Sequence, residues 1–326
     1  MEHKRFIVSI SPHVRHGRTI RSMVTMTVAA LLPAVGWGIY QFGLPALVLL
    51  AVGIGGAVGT EALVGRLAKQ PVSVLDGHAL LVGLLVALML PAGAPWWLAL
   101  VGGSIGILVG KLPFGPLGGA PLNPALVGLL ILALSWPAEV SRYAHPASAP
   151  DELRAAGAAT AESPLEAIAI DPSDMLEYDP LALLLGDQTG PIGAISPFLL
   201  LLGGLFLVWR RVIRWQAPLG FLLGVALASG VANGVDPTTH PPIWFHTFSG
   251  MVMLGAFFLA TDWSSSPVTP WGLFLFGLSA GVLAILLRMS GLPYARVPWA
   301  IVIMSLATPL FDRIAPVPFG KVVHHA

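Results

Sequence analysis

Three carboxylates stand at the ends of long apolar runs: Glu61 in GGAVGTEALVGRL, Asp262 in GAFFLATDWSSSPVTP and Asp312 in SLATPLFDRIAPVPFGK. A carboxylate in or beside a bilayer needs partners, so each is either solvated at a helix end or part of a cation route. For Glu61 the plain alternative is an ion pair with Arg66, and for Asp312 a solvated pair with Arg313. A second chemistry is offered by GAATAESPLEA, residues 157–167, where Thr160 and Ser163 place hydroxyls in a small, acidic stretch. A third lies in FGPLGGAPLNPALVG, residues 114–128. There Asn123 is a good N-cap and Pro124 a good first helical residue. Such a helix start exposes free N–H groups that suit an anion or a carbonyl. Asp76, opening DGHALL, is placed for helix capping or for ligand contact.

Other chemistries are excluded. The chain has no cysteine, which removes disulfides, thiolate-held clusters and thiol catalysis. GIGGAVG, residues 53–59, looks like a nucleotide loop but sits inside an apolar run, where close helix packing is the better reading. His78 and His246 begin apolar runs on opposite sides, so they do not share one haem iron. A formal charge of +1 gives no reason to expect nucleic acid.

The elements that must hold these residues are membrane helices. Charged residues make up 10% of the 326, against ~25% in soluble proteins, and 56% are hydrophobic. The apolar runs are continuous rather than alternating, which argues against a barrel. The fold class is therefore all-α and polytopic. Ten spans are expected, at about 22–40, 44–64, 78–91, 95–111, 120–136, 197–213, 217–233, 245–261, 270–288 and 297–311. The third is short and reads as a half-span or a helix that breaks inside the protein. Residues 1–21 are basic and polar and read as a cytoplasmic leader rather than a signal peptide. Lysines and arginines after spans two, four, six and ten share the leader's side if both termini are cytoplasmic. Arg288 and Arg296 are the main exceptions.

This gives an N-terminal helical half, 1–136, an outer loop, 137–196, and a C-terminal helical half, 197–326. The loop holds ten of the sixteen acids, including Glu162, Asp174 and Asp179, and only Arg142 and Arg154 as basic residues. A long loop of this kind is either functional or a flexible linker.

The short motifs, in order, carry a resemblance. They are SPH at 11–13, DGHALLVGLLVALMLP at 76–91, GK and FG before LNPA at 110–125, GPIGAIS at 190–196, SGMVMLGAFFLATD at 249–262, SPVTPWG at 266–272 and PLFD at 309–312. Together they resemble the D subunits of Rnf complexes, the ion-pumping ferredoxin:NAD⁺ oxidoreductases, and their relatives, the B subunits of the sodium-pumping NADH:quinone oxidoreductases. The resemblance covers nearly the whole chain.

It implies a multi-pass subunit of a bacterial inner membrane, built as two inverted five-helix repeats, with no substrate-turnover site of its own. Electrons would pass through flavins across the membrane, coupled to Na⁺ or H⁺ movement. FMN would be held by a phosphoester in the outer loop, and riboflavin among the helices. Implied partners are an outer-face flavoprotein, membrane helical subunits, cytoplasmic iron–sulfur and NADH-binding subunits, and lipid. On this pattern Ser163 takes the ester position, where the family has Thr, with Thr160 as the alternative. Glu162 replaces a small neutral neighbour there, and Ala194 and Ile195 replace Glu and Thr. Glu61, Asp262 and Asp312 match cation-entry positions. Asn123 and the Pro124 helix start would contact the buried flavin, as would Asp76 if it does not merely cap. Two other readings stay open: a flavin-free permease of the same fold, and a scaffold subunit that has lost its cofactors.

Overall fold

The structure is a computed structural model that describes residues 19–69, 76–115, 118–147, 149, 161–170, 178–291 and 294–314. Among the described residues the chain is helical, with two isolated β-bridges and no longer strand. The apolar runs set the order. Helices α1 (Ile20–Phe42) and α2 (Leu44–Leu67) meet at Gly43, whose φ of 66° a side chain would strain. Next come α3 (His78–Met89), α4 (Trp96–Ile105) and α5 (Pro124–Ser135). The α4 axis continues through a π-helical turn, Gly106–Lys111, and a short 3₁₀ turn, Leu112–Phe114.

Three short helices follow: α6 (Pro137–Val140), α7 (Pro164–Ile170) and α8 (Pro180–Leu185). The second half holds α9 (Pro197–Trp209), α10 (Gln216–Val235), α11 (Ile243–Phe248) and α12 (Val252–Leu254). A second π-helical turn, Gly255–Leu259, extends α12. Helices α13 (Pro270–Met289), α14 (Arg296–Leu306) and α15 (Thr308–Phe311) close the chain.

Each expected apolar segment is helical, but their lengths differ. Five helical stretches are long and apolar enough to cross a membrane: α1, α2, 96–114, α10 and α13. Helices α3, α5, α9 and α14 are apolar but shorter. The expected span 245–261 is not one helix. It breaks at Ser249–Met251, between α11 and α12. Helix α3 is about 18 Å long at 1.5 Å per residue, too short for a ~30 Å hydrocarbon core. It stops at Leu90–Pro91, as the short third span suggested.

Small residues let backbones touch. Helix α2 packs most on α3 and α4, and α10 on α13. A Cβ on Gly56 would lie 2.8 Å from the Leu100 carbonyl, and one on Gly103 2.6 Å from that of Gly53. GIGGAVG is thus a packing motif, through Gly53 and Gly56, while Gly55 and Gly59 face open space. In the second half Gly220, Gly224, Gly277 and Gly281 do the same between α10 and α13. Large apolar side chains cover the outside, among them Leu63, Leu67, Leu134, Val231, Val235 and Leu306. Exposed aromatics stand at the helix ends: Tyr40, Trp96 and Trp136 at one end, Trp209, Trp215 and Trp271 at the other. That is the distribution of a bundle held between two headgroup layers.

Replacing Gly224 by Leu drives a side chain into the Leu278 carbonyl. It is expected to cost about 1–3 kcal/mol through separation of α10 and α13. Thermal unfolding in detergent measures this. Gly234→Leu, at a position facing open space on the same helix, serves as the control.

Candidate functional site

Two polar centres lie at opposite ends of the bundle. Helix α14 links the ends: Arg296 at its start lines a cavity with Ser163, and just after its end Thr308 donates to the Ser265 carbonyl at 2.9 Å. Helix α13 runs the other way, from Pro270 to Arg288 in the same cavity.

The first centre forms where two helices stop inside the protein. An interrupted helix leaves carbonyls without donors, and lipid supplies none. At the end of α3, Gly193 N–H donates to the Leu88 carbonyl at 2.8 Å and Ile192 N–H to that of Leu90 at 3.0 Å. The Tyr294 hydroxyl donates to the Met89 carbonyl at 2.5 Å. At the end of α11, Arg288 donates to the carbonyls of His246, at 2.7 Å, and Ser249, at 2.9 Å. The buried Gln188 amide shares two N–H groups among the carbonyls of Leu183, Ile195 and Phe248, at 3.1, 2.8 and 3.0 Å.

The segment 186–196 therefore ties both broken helices. It is itself pinned by Trp37 and Gln41, which both donate to the Gly186 carbonyl at 3.3 Å. The described part of the 137–196 segment is docked structure rather than a free linker.

Ser163 sits on this platform. It is buried, while its neighbour Glu162 is exposed. It precedes α7, and its backbone N–H and hydroxyl both donate to Glu166 Oε2, at 3.2 and 3.0 Å. This is the reach-back half of a capping box, legible as Ser163-Pro164-Leu165-Glu166. Burial pushes the Glu166 carboxyl pKa up, and the bonds from Ser163 act against that. Burial also pushes up the phenol of Tyr143, with the Glu166 charge adding to it. Ser163, Tyr143, Thr189, Arg288, Tyr294 and Arg296 line one cavity. A cleft of about 330 Å³ adjoins it, sharing Leu165, Arg288 and Arg296, and reaches Ile168, Phe245 and His246.

The two arginines that broke the charge rule thus meet at Ser163. The Arg296 charge acts on Glu166. Arg288 is nine-tenths buried, its Nε has no hydrogen-bond partner, and among the described residues no carboxylate forms an ion pair with it. A buried cation without a counter-charge is costly and favours an anion in the adjoining space.

The second centre gathers expected acids. Glu61 pairs not with Arg66 but with Lys111, at 2.6 Å, and both side chains are buried. Asp76 Oδ2 lies 3.8 Å from the same ammonium, and Asp76 Oδ1 accepts from the His78 N–H at 2.7 Å, opening α3. His78 lies within electrostatic reach of Lys111, Asp262, Asp76 and Glu61. Asp262 accepts from the hydroxyls of Ser264 and Ser265 at 2.6 and 3.1 Å and from both backbone N–H groups. Asp312 accepts from Val268 N–H at 2.7 Å, so Asp262 and Asp312 bracket one loop. Asn123 caps α5 as its type requires, accepting from Ala125 N–H at 2.9 Å, and is buried. Thr160 lies outside the described residues.

The structure thus brings Glu61 and Asp76 together on Lys111 and places Asp262 near His78. Sequence reasoning missed Lys111 as their shared partner, because the pairing crosses from α2 to the π-helical turn. It also missed Glu166, whose capping-box spacing was visible, and Gln188, which carried no signal.

Comparison with known proteins decides the family. The model of the NQR2, RnfD, RnfE family matches residues 7–320. The chain belongs to that family. It is 36% identical over 314 residues to the D subunit of the Na⁺-translocating ferredoxin:NAD⁺ oxidoreductase complex of Acetobacterium woodii, covering 96% of this chain and 94% of the relative. To the D subunit of the proton-translocating ferredoxin:NAD⁺ oxidoreductase complex of Clostridium ljungdahlii it is 35% identical over 328 residues, covering 97% and 96%. To the D subunit of the ion-translocating oxidoreductase complex of Stutzerimonas stutzeri it is 36% identical over 317 residues, covering 90% of each. The resemblance read from the ordered motifs is borne out. As an NQR2, RnfD, RnfE family member the chain is a multi-pass membrane protein by its apolar helices and its relatives.

The buried polar contacts set two stability expectations. Lys111→Met takes the ammonium away from the buried Glu61 carboxylate and is expected to cost about 3–5 kcal/mol, whereas Lys111→Met with Glu61→Leu is near neutral. Gln188→Leu leaves three carbonyls without their shared donor and is expected to cost about 1–3 kcal/mol. Thermal unfolding reads both, and protease nicking within 178–196 reports the second.

Proposed function

We propose that this chain is the D subunit of an Rnf-type ferredoxin:NAD⁺ oxidoreductase, passing electrons through flavins across a bacterial inner membrane as Na⁺ or H⁺ is moved. The observation that carries the flavin reading is the convergence of the buried Ser163 hydroxyl with Arg288 and Arg296 in one cavity. A phosphoester carries negative charge and strong acceptor oxygens, which arginines match. Ser163 would bear the ester, Arg288 and Arg296 would face its phosphate, and the adjoining cleft, walled in part by Leu165, Ile168 and Phe245, has room for a ring system. Bound there, FMN would supply reversible electron acceptance.

This chain's own residues do the rest. Glu166 holds the Ser163 hydroxyl in place, and segment 186–196 keeps the cavity seated on the two broken helices. Glu162 is exposed to solvent, whose screening weakens its repulsion of a phosphate. Asn123 and Asp76 stand at helix starts among the spans and are the candidates for riboflavin contact. Glu61, Asp262 and Asp312 would attract and relay the cation.

The topology that agrees with this reading has ten membrane segments and both termini in the cytoplasm. Arg66, Arg210, Arg211, Arg214 and Arg313 then share the inner end, and Ser163 lies outside. Two inverted five-helix repeats would relate α1–α5 to α9–α14. In their favour, the third segment of each half is interrupted, the second packs heavily on the fourth, and α1 packs on α9. The domain division at 136/137 and 196/197 follows the same halves. Partners would be the other membrane, outer-face and cytoplasmic subunits of the complex.

Covalent flavin is read directly by fluorescence of the denatured protein on a gel after co-expression with a flavin transferase. A fluorescent band is expected, lost in Ser163→Ala and kept in Thr160→Ala. A dark wild-type band defeats the ester reading and leaves a scaffold or a flavin-free permease.

A further inference from the structure

Lys111 forms ion pairs with two carboxylates at once. Its ammonium lies 2.6 Å from Glu61 Oε1 and 3.8 Å from Asp76 Oδ2. The three side chains differ in depth: Lys111 and Glu61 are 6% and 3% exposed, Asp76 20%. The lysine is held by a π-helical turn, Gly106–Lys111, the kind of local widening that concentrates at functional positions. The turn packs closely on the start of α5. Gly106 and Gly110 press on Pro124, where added Cβ atoms would stand 2.8 and 2.7 Å from its backbone. Beside the trio, His78 is buried and its Nδ1 has no hydrogen-bond partner among the described residues.

We propose that the Lys111 ammonium is a tethered cation that shuttles between Glu61 and Asp76, and that a translocated monovalent cation occupies Glu61 when Lys111 leans to Asp76. This rests on reading the chain as a subunit of an ion pump. The physics is one of exchange. A carboxylate as deep as Glu61 carries a large desolvation cost if left without a cation. Its ammonium partner therefore leaves only as another positive charge arrives. Asp76, shallower and within reach, offers the ammonium a second seat at low cost. The unpartnered His78 nitrogen provides a polar contact for an entering hydrated cation or for water beside it. When the cation is sodium no covalent bond is made or broken; one cation replaces another on the same oxygen. When it is a proton, the O–H bond forms on Glu61 and the ammonium keeps its own protons. Either cation neutralises Glu61.

An ordinary structural ion pair would behave differently. It sets assembly and stability, and its loss lowers electron transfer and cation uptake alike. A tethered cation sets the number of cations moved per electron.

The test uses the whole complex in sealed proteoliposomes. Sodium uptake is followed with a radioactive tracer and proton movement with a pH-sensitive dye, each normalised to electrons transferred. Lys111→Met is expected to lower the cation-to-electron ratio at least fivefold, with Lys111→Arg recovering part of it. The double variant Glu61→Gln with Lys111→Met removes both buried charges and guards against failure to assemble. It is expected to stay uncoupled. Full coupling in either variant overturns the proposal. A wild-type complex that transfers electrons but moves neither ion defeats the pump reading instead.

Discussion

The constraint that shapes this molecule is the need to satisfy backbone carbonyls where helices stop inside an apolar bundle. Lipid offers no donor, so each interruption must be closed by protein. Helix α3 ends at Met89 and α11 at Phe248, and both ends are met by groups from elsewhere in the chain. Gly193, Ile192 and Tyr294 serve one; Arg288 and Gln188 serve the other. Most of these donors come from segment 186–196 or from the facing ends of α13 and α14. Segment 186–196 is therefore a structural part of the bundle. The cavity around Ser163 exists because this closure holds its walls in place.

The two ends of the bundle handle buried charge differently. At the Ser163 end, Arg288 directs its hydrogen bonds to carbonyls and an imidazole, and among the described residues no carboxylate pairs with it. That leaves a field suited to an anion. At the other end, Lys111 is enclosed by Glu61 and Asp76, with His78 and Asp262 close by. Among the described residues, negative groups exceed positive ones there, a field suited to a cation. Helices α13 and α14 run from the Ser163 cavity to the loop between Asp262 and Asp312.

Glycine and π-helical turns connect packing to these centres. Close approach through Gly53, Gly56 and Gly103 brings α2 against α4, which places Glu61 and Lys111 on facing backbones. Gly106 and Gly110 bring the π-helical turn onto the capped start of α5. Asn123 therefore supports the same cluster that the acids form, by fixing the helix start on which Lys111's turn rests.

Composition and apolar run length were enough to make the chain an all-α membrane protein, because a bilayer imposes a length and polarity that single residues report. The short α3, the Asn123 cap and the packing role of GIGGAVG were also legible, since caps, breaks and small-residue stripes act locally. Ordered motifs along the chain were enough for the family. Pairings across distant segments were decided only by the tertiary structure. Arg66 was the near candidate for Glu61, yet Lys111 took it, because helix packing rather than sequence distance sets which charges are buried together. Arg288 and Arg296 read as exceptions to charge bias along the chain, and only folding placed them beside Ser163. Gln188 gave no signal, since an amide's partners here are carbonyls freed by breaks in helices it does not belong to.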